Sequence, residues 1–208
     1  MIRATEHLVP AELSARERYH LMTSLVVPRP IGWLSTRSRD GVLNLAPYSY
    51  FSALSVRPML VGVSIGDKRE GLKDSLVNIR HRGAFCVNVV SEELLEPMNE
   101  SSASVAPGVD EFALAGLTAV ESDCVDAPFV SACRAVFECE VQQEVDLRGA
   151  PNTLVIGEVL GIRLDPGLGT EDGTRLVRPE ELRPVGRLGG AAYAVADEVR
   201  RVLRPDRR

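Results

Sequence analysis

Lys73, Asp74 and Ser75 stand together at the start of a stretch in which Leu72, Leu76 and Ile79 recur at helical spacing. The free N–H groups and positive dipole end of a helix start favour an anion, to which Lys73 would add charge and Ser75 a hydroxyl. The same residues also suit a structural role, with Asp74 or Ser75 as N-cap and Lys73 as a solvated charge. A second polar group lies on Val27–Phe51, VPRPIGWLSTRSRDGVLNLAPYSYF, where Ser35, Thr36, Asn44 and Ser49 sit on two strands joined by a tight turn. A buried sheet face must satisfy such donors and acceptors. A polar planar ligand would do so, and so would Thr36 and Asn44 pairing across the hairpin. Arg29 and Arg187 suit the anionic parts of a ligand because guanidinium makes bidentate charge-assisted bonds; as lone arginines they equally suit surface ion pairs. Trp33, the one tryptophan, reads as core or subunit-interface packing, and Tyr48, Tyr50 and Phe51 share that reading, with room for one hydroxyl near a ligand.

These groups need a scaffold, and the chain spells out a mainly β one with a few helices. Ala11–Leu25 is helical, with Ser14 and Glu17 spaced as a capping box and Leu21 and Leu25 on one packing face. Strands are expected at Ile31–Thr36, Val42–Ser52 and Met59–Ile65, with Asp40-Gly41 turning the first hairpin. Leu72–Arg82 is a short amphipathic helix stopped by Gly83, and Phe85–Val90 returns to strand. Ser91 opens another helix with acids in its first turn, broken or kinked at Pro97; Met98–Ser102 and Pro107–Phe112 read as a surface excursion. Arg134–Val145 and Thr153–Leu164 are long strands that complete a barrel. Asp165–Leu182 is a Gly-rich charged loop, Arg183–Gly190 follows neither period, and Val195, Val199 and Val202 point to a final short helix. One domain over 1–208 is expected, with 1–26 as a helical preface and 194–208 as a short helix and basic tail.

Composition narrows the function. The 208 residues suffice for a core without disulfides or metals, and 45% hydrophobic with 25% charged residues is ordinary for a globular protein. No apolar run reaches the roughly 20 residues of a membrane helix, and the N-terminus lacks a signal-type apolar segment, so a cytoplasmic location is expected with no membrane partner. A net charge of −5 argues against a nucleic-acid partner, the locally basic RRVLRPDRR being read as a solvated end. Cys86, Cys124, Cys133 and Cys139 form no CxxC and His7, His20 and His81 no zinc spacing; Cys86 and Cys139 read as strand core. Gly62-Val-Ser-Ile-Gly66 matches a hydrolase elbow, but the only later histidine is His81, too local for a triad. No G-x-G-x-x-G opens a βαβ unit, so any nicotinamide must bind transiently.

Taken in order, PRPIGWLST, NLAPYSYF, KDSLVNIR, GEV and RPVGRLGG resemble the flavin reductase-like family of FMN-binding split barrels, from about Val27 to Tyr193. The resemblance implies a homodimeric split β-barrel that binds FMN, with FAD as the alternative, near the subunit interface. It implies phosphate or ribityl contacts at Lys73, Asp74 and Ser75, and an isoalloxazine pocket at Ser35, Thr36, Asn44, Ala46, Pro47 and Ser49, with Arg29 and Arg187 toward anionic parts. Backbone amides near Ala46 would face the redox-active edge. The implied activity is NAD(P)H-dependent flavin reduction by hydride transfer with no catalytic side chain, the flavin doing the chemistry. The reduced flavin then stays bound or leaves for a flavin-dependent monooxygenase partner; the competing reading is an FMN-holding electron carrier or sensor without turnover. Asn152 stands where the family often has histidine, and Ser75 where threonine is commoner.

Overall fold

Ser14 accepts from the backbone N–H of Glu17 at 3.2 Å while the Glu17 carboxylate accepts from Ser14, so the chain's first α-helix, α1 (Ala15–Leu25), begins on the expected capping box. The computed structural model describes residues 5–68, 71–171, 173–196, 198–202 and 205. After α1 come β1 (Arg29–Pro30), β2 (Gly32–Arg37), β3 (Leu43–Tyr48), β4 (Phe51–Val56) and β5 (Met59–Gly66). Helix α2 (Asp74–Arg82) leads to β6 (Ala84–Val89), then to the short helices α3 (Leu95–Glu100) and α4 (Glu111–Leu114). The remainder is β7 (Ala119–Glu121), β8 (Pro128–Val130), β9 (Ala135–Asp146), β10 (Asn152–Leu164), α5 (Pro179–Leu182), β11 (Val185–Arg187) and β12 (Tyr193–Val195).

Seven strands form one antiparallel sheet in the order β3-β2-β6-β9-β10-β5-β4. Its two edge strands, β3 and β4, are joined by the two-residue link Ser49-Tyr50, so the sheet must curl to bring its edges together; the Ser64 N–H, donating to the Tyr50 carbonyl at 2.8 Å, extends the β4–β5 pairing into that link. Helix α2 closes one mouth of this open-seamed barrel, with Leu76 and Ile79 packed among Leu34, Val63, Ile65, Phe85, Val87 and Val155. A second core on the other side joins Trp33, Leu45, Met98, Phe112 and Val185. The barrel strands carry Cys86 and Cys139 buried and unpaired, as read from the sequence. Gly157 lies where a Cβ would overlap the Phe85 ring, so glycine is what lets β10 pass over that phenyl group.

Five expectations need correction. The apolar alternation of Val42–Ser52 is not one strand: β3 pairs with β2, and after Ser49-Tyr50 the chain crosses to the other end of the sheet, where β4 pairs with β5. Alternation records which face is buried, not which neighbour is paired. Pro97 neither breaks nor kinks a helix, because it falls in the first turn of α3, where its missing N–H has no intrahelical acceptor to lose. The supposed excursion is anchored rather than peripheral, with Met98, Ser101, Glu111 and Phe112 all buried. Arg183–Gly190 contains β11, paired with β1 through Arg29↔Arg187 and Pro30↔Gly186; three residues are too few to display a period. In place of a final helix, Tyr193–Val195 is β12, and the described residues beyond it carry no helix.

Candidate functional site

The β2–β3 hairpin turns at Gly41, whose φ of 88° is the left-handed geometry the Asp-Gly pair predicts. Its register sets Thr36 opposite Asn44, and the Thr36 Oγ1 donates to Asn44 Oδ1 at 3.1 Å. That bond is one link in a buried chain. Asn78 Nδ2 donates to Thr36 at 3.0 Å, Ser75 Oγ donates to the same Asn44 oxygen at 2.7 Å, and the Tyr48 hydroxyl donates to Ser75 at 3.0 Å. On its other side Asn44 Nδ2 donates to both carboxylate oxygens of Glu111, at 3.0 and 3.1 Å, and the Leu45 N–H adds a third bond at 3.1 Å. A carboxylate can only accept, so Glu111 orients the Asn44 amide and with it the direction of every bond in the chain. Burial pushes Glu111 above the usual carboxylate range against these bonds, and pushes the Tyr48 phenol up to about 12.

Above this floor lies a cleft of about 290 Å³ between β3, the start of α2, the 101–105 segment and α4, into which Asn44, Ala46, Pro47, Tyr48, Lys68, Lys73, Asp74, Ser75 and Glu111 face. Lys73 is the N-cap residue of α2 but makes no side-chain cap; its ammonium sits 5.2 Å from the Tyr48 ring centroid and has no carboxylate partner among the described residues. Asp74 is instead paired with Lys68 at 3.0 Å. Partial burial and the nearby Lys68 both lower the Lys73 pKa, the strain an anion would relieve. The cleft adjoins a second one, of about 230 Å³, sharing Pro47 and Ser102 and lined also by Tyr19, Ile31, Ser49, Met98, Asn99, Arg187 and Tyr193. Together they make one groove with an ammonium at a helix start near one end and a guanidinium near the other.

The expected site residues divide by where they point. Asn44, Ala46, Pro47, Lys73, Asp74 and Ser75 share the first cleft; Pro47, Ser49 and Arg187 share the second. Ser35 and Thr36 have no exposed surface: Ser35 donates to the Pro128 carbonyl at 2.6 Å and accepts from Asn88, so both act as framework beneath the groove. Arg29 is buried, its guanidinium spent on the carbonyls of Thr23, Val26 and Leu188 and on Ser49 Oγ, where it ties α1 and the β11–β12 loop to the hairpin. Arg187 is half-buried, its guanidinium 4.3 Å from the Tyr193 ring centroid. Trp33 is core, its indole N–H donating to Ser101 at 2.9 Å, and Ser64 of the hydrolase-like motif lies within β5 rather than at a strand-to-helix turn. Asn152 reaches Ser64 at 3.2 Å. Among the described residues no helix is long and apolar enough to cross a membrane, and no cluster of His, Cys, Asp and Glu could hold a metal.

Sequence reasoning missed Glu111, Asn78, Asn99, Tyr19 and Tyr193. For Glu111 a signal exists: Asp110 caps the N–H groups of Phe112 and Ala113, and an Asp before Glu-Phe-Ala-Leu announces a helix start with Phe112 turned inward. The others carry no local mark, because their partners lie far away in sequence.

The flavin reductase-like domain model matches residues 22–179, a span containing the hairpin, α2 and the Glu111 anchor. Relatives include an uncharacterized protein of Aquifex aeolicus, 38% identical over 86% of this chain and 89% of its own. Another, from Halalkalibacterium halodurans, is 36% identical over 95% and 96%. Among solved structures, nitrilotriacetate monooxygenase component B from Bacillus cereus superimposes with a TM-score of 0.91 at 31% identity, over 97% of this chain and all of that one. The 2-nitrobenzoate 2-nitroreductase NbaA of Pseudomonas fluorescens gives 0.87 at 28%, over 96% of both chains. The curled sheet, the hairpin-and-helix groove and these matches converge: the chain belongs to the flavin reductase-like domain family, with a split-barrel fold.

Proposed function

We propose that the first cleft of the groove, beside Lys73, binds FMN, with FAD as the larger alternative, and that the protein is an NAD(P)H-dependent flavin reductase. The observation that carries this reading is Lys73, a half-buried cation with no carboxylate partner among the described residues, at the N-terminus of α2 and on the wall of the first cleft. The N–H groups of Asp74 and Ser75 have no protein acceptor among the described residues, so together with Lys73 they would hold a phosphate. Bound there, the flavin would supply hydride acceptance and delivery. The chain's own part is positional. Ala46 and Pro47 form the wall of the groove, with backbone near Ala46 toward the polar edge of the ring; the network from Tyr48 through Ser75 and Asn44 to Glu111 holds that wall rigid. NAD(P)H would dock transiently in the open groove, since the described residues form no parallel βαβ unit to retain it.

The name of the Bacillus cereus protein supports a handover of reduced flavin to a flavin-dependent monooxygenase partner. A homodimer is supported by surface chemistry. Tyr19, Met22 and Leu25 of α1 and Val26 just after it are exposed, and Met22 and Val26 line an open apolar hollow of about 600 Å³ with Tyr50, Leu54 and Leu154 beside the terminal strand β4. An apolar edge strand beside an apolar helix face invites a second copy. The experiment is to titrate purified protein with FMN, then follow NADH and NADPH oxidation anaerobically. FMN binding with nicotinamide-dependent bleaching supports the reductase. Bound flavin that neither nicotinamide reduces assigns a carrier, and failure to bind FMN overturns the reading.

A further inference from the structure

The second cleft differs in chemistry from the first: Arg187, Asn99 and Ser49 offer it donors, and only hydroxyl oxygens such as that of Ser102, which gives its hydrogen to the Asn99 carbonyl at 2.6 Å, face it as side-chain acceptors among the described lining residues. Arg187 spends one N–H on the Gly190 carbonyl at 2.7 Å and stacks on Tyr193; among the described residues its other N–H groups have no acceptor and it forms no ion pair. The Tyr193 hydroxyl donates to Asn99 Oδ1 at 3.0 Å, which fixes the amide's orientation and leaves the Nδ2 hydrogens without an acceptor among the described residues. Ser49 Oγ accepts from Arg29 Nε at 3.3 Å, so its own hydrogen remains to be given. Among the described residues no carboxylate lines the cleft, whereas Asp74 and Glu111 line its neighbour. A guanidinium, an amide NH₂ and a hydroxyl converging without an acid demand an acceptor-rich anion, and the fork of Arg187 matches a carboxylate. The remaining walls are flat or apolar: Tyr19, Ile31, Met98 and Pro47. A cleft of about 230 Å³ with such walls admits a single ring rather than a second nucleotide.

We infer that this cleft is a binding site for planar carboxylates of the aromatic-acid class, anchored by Arg187 and oriented by Asn99. The assignment separates Arg187 from the flavin phosphate, which belongs to Lys73 at the other end of the groove. It deepens the reductase reading by naming the kind of second ligand that meets the flavin, and rests on that reading only to that extent.

The test is calorimetric titration of benzoate and of benzamide into the FMN-loaded protein, its Arg187→Gln and Arg187→Lys variants and Asn99→Ala, with FMN affinity measured for each. Benzoate should bind more tightly than benzamide, and Arg187→Gln should weaken benzoate about tenfold while leaving benzamide and FMN unchanged. Arg187→Lys, which keeps the charge but loses the fork, should fall between. Equal affinities for benzoate and benzamide, or a preference that survives Arg187→Gln, would overturn the inference. So would a parallel loss of FMN affinity, which would return Arg187 to the cofactor. Should wild-type protein take up no FMN, the reductase reading fails by itself. Benzoate titrated into flavin-free protein then decides this one: Arg187-dependent binding upholds it, and no binding refutes it.

Discussion

Asn44 is where the structural argument is most exposed to refutation. Its side chain makes four contacts of 2.7–3.1 Å, two to the Glu111 carboxylate and one each from Ser75 and Thr36. In Asn44→Ala three buried groups lose a partner at once. Leaving a buried polar group unsatisfied costs about 1–3 kcal/mol, but Ser75 and Glu111 border the cleft and can recruit water, whereas Thr36 cannot. The expected loss is therefore about 2–4 kcal/mol rather than the full sum. Asn44→Asp is the sharper probe because its volume hardly changes. It keeps an acceptor for Ser75 and Thr36 but turns an oxygen, in place of an NH₂, toward a carboxylate. Two buried like charges cannot both stay ionised, so the deficit of Asn44→Asp should be large at pH 7 and shrink toward pH 5 as the pair takes up a proton. Urea unfolding of the flavin-free protein at both pH values reads this directly. If Asn44→Asp matches wild type at pH 7, or its deficit does not change with pH, then Glu111 does not orient the Asn44 amide and the account of the groove floor is wrong.

Other perturbations test separate steps. Burial raises Glu111 from its ordinary 4.5, so its contribution to stability is complete below that value and is lost as pH rises through the higher folded one; Glu111→Gln should abolish this decline, seen as a flatter urea-midpoint profile between pH 4 and 7. Gly157→Ala forces a methyl group against Phe85 and should cost about 1–3 kcal/mol in chemical denaturation, whereas an alanine at Gly41, which meets nothing within 4 Å, would report only the strain of its positive φ. Lys73→Gln should raise the FMN Kd about 10–100-fold and flatten its salt dependence, with an unchanged far-UV spectrum; an unaltered Kd would remove the phosphate from the start of α2.

Whatever is written in short-range pattern was legible in the residues themselves. The capping box at Ser14, the Asp40-Gly41 turn, the αL stop at Gly83 and the long alternating strands β9 and β10 all appear where local sterics and period require them. The motif order from Val27 to Tyr193 was enough to name the family. Tertiary structure alone decided what depends on distant partners. It split the Val42–Ser52 alternation between opposite ends of the sheet, made three-residue strands of Val185–Arg187 and Tyr193–Val195, and brought Glu111 beneath Asn44, 67 positions away. It also sorted the candidate residues: Ser35, Thr36 and Arg29 went to framework, Lys73 to one end of the groove and Arg187 to the other. The physical reason is that residue type states what a side chain can bond, while burial and neighbours state what remains for a ligand after the fold has taken its share. Arg29 and Arg187 are the same residue on paired strands, yet one guanidinium is consumed by backbone carbonyls and the other keeps its donors.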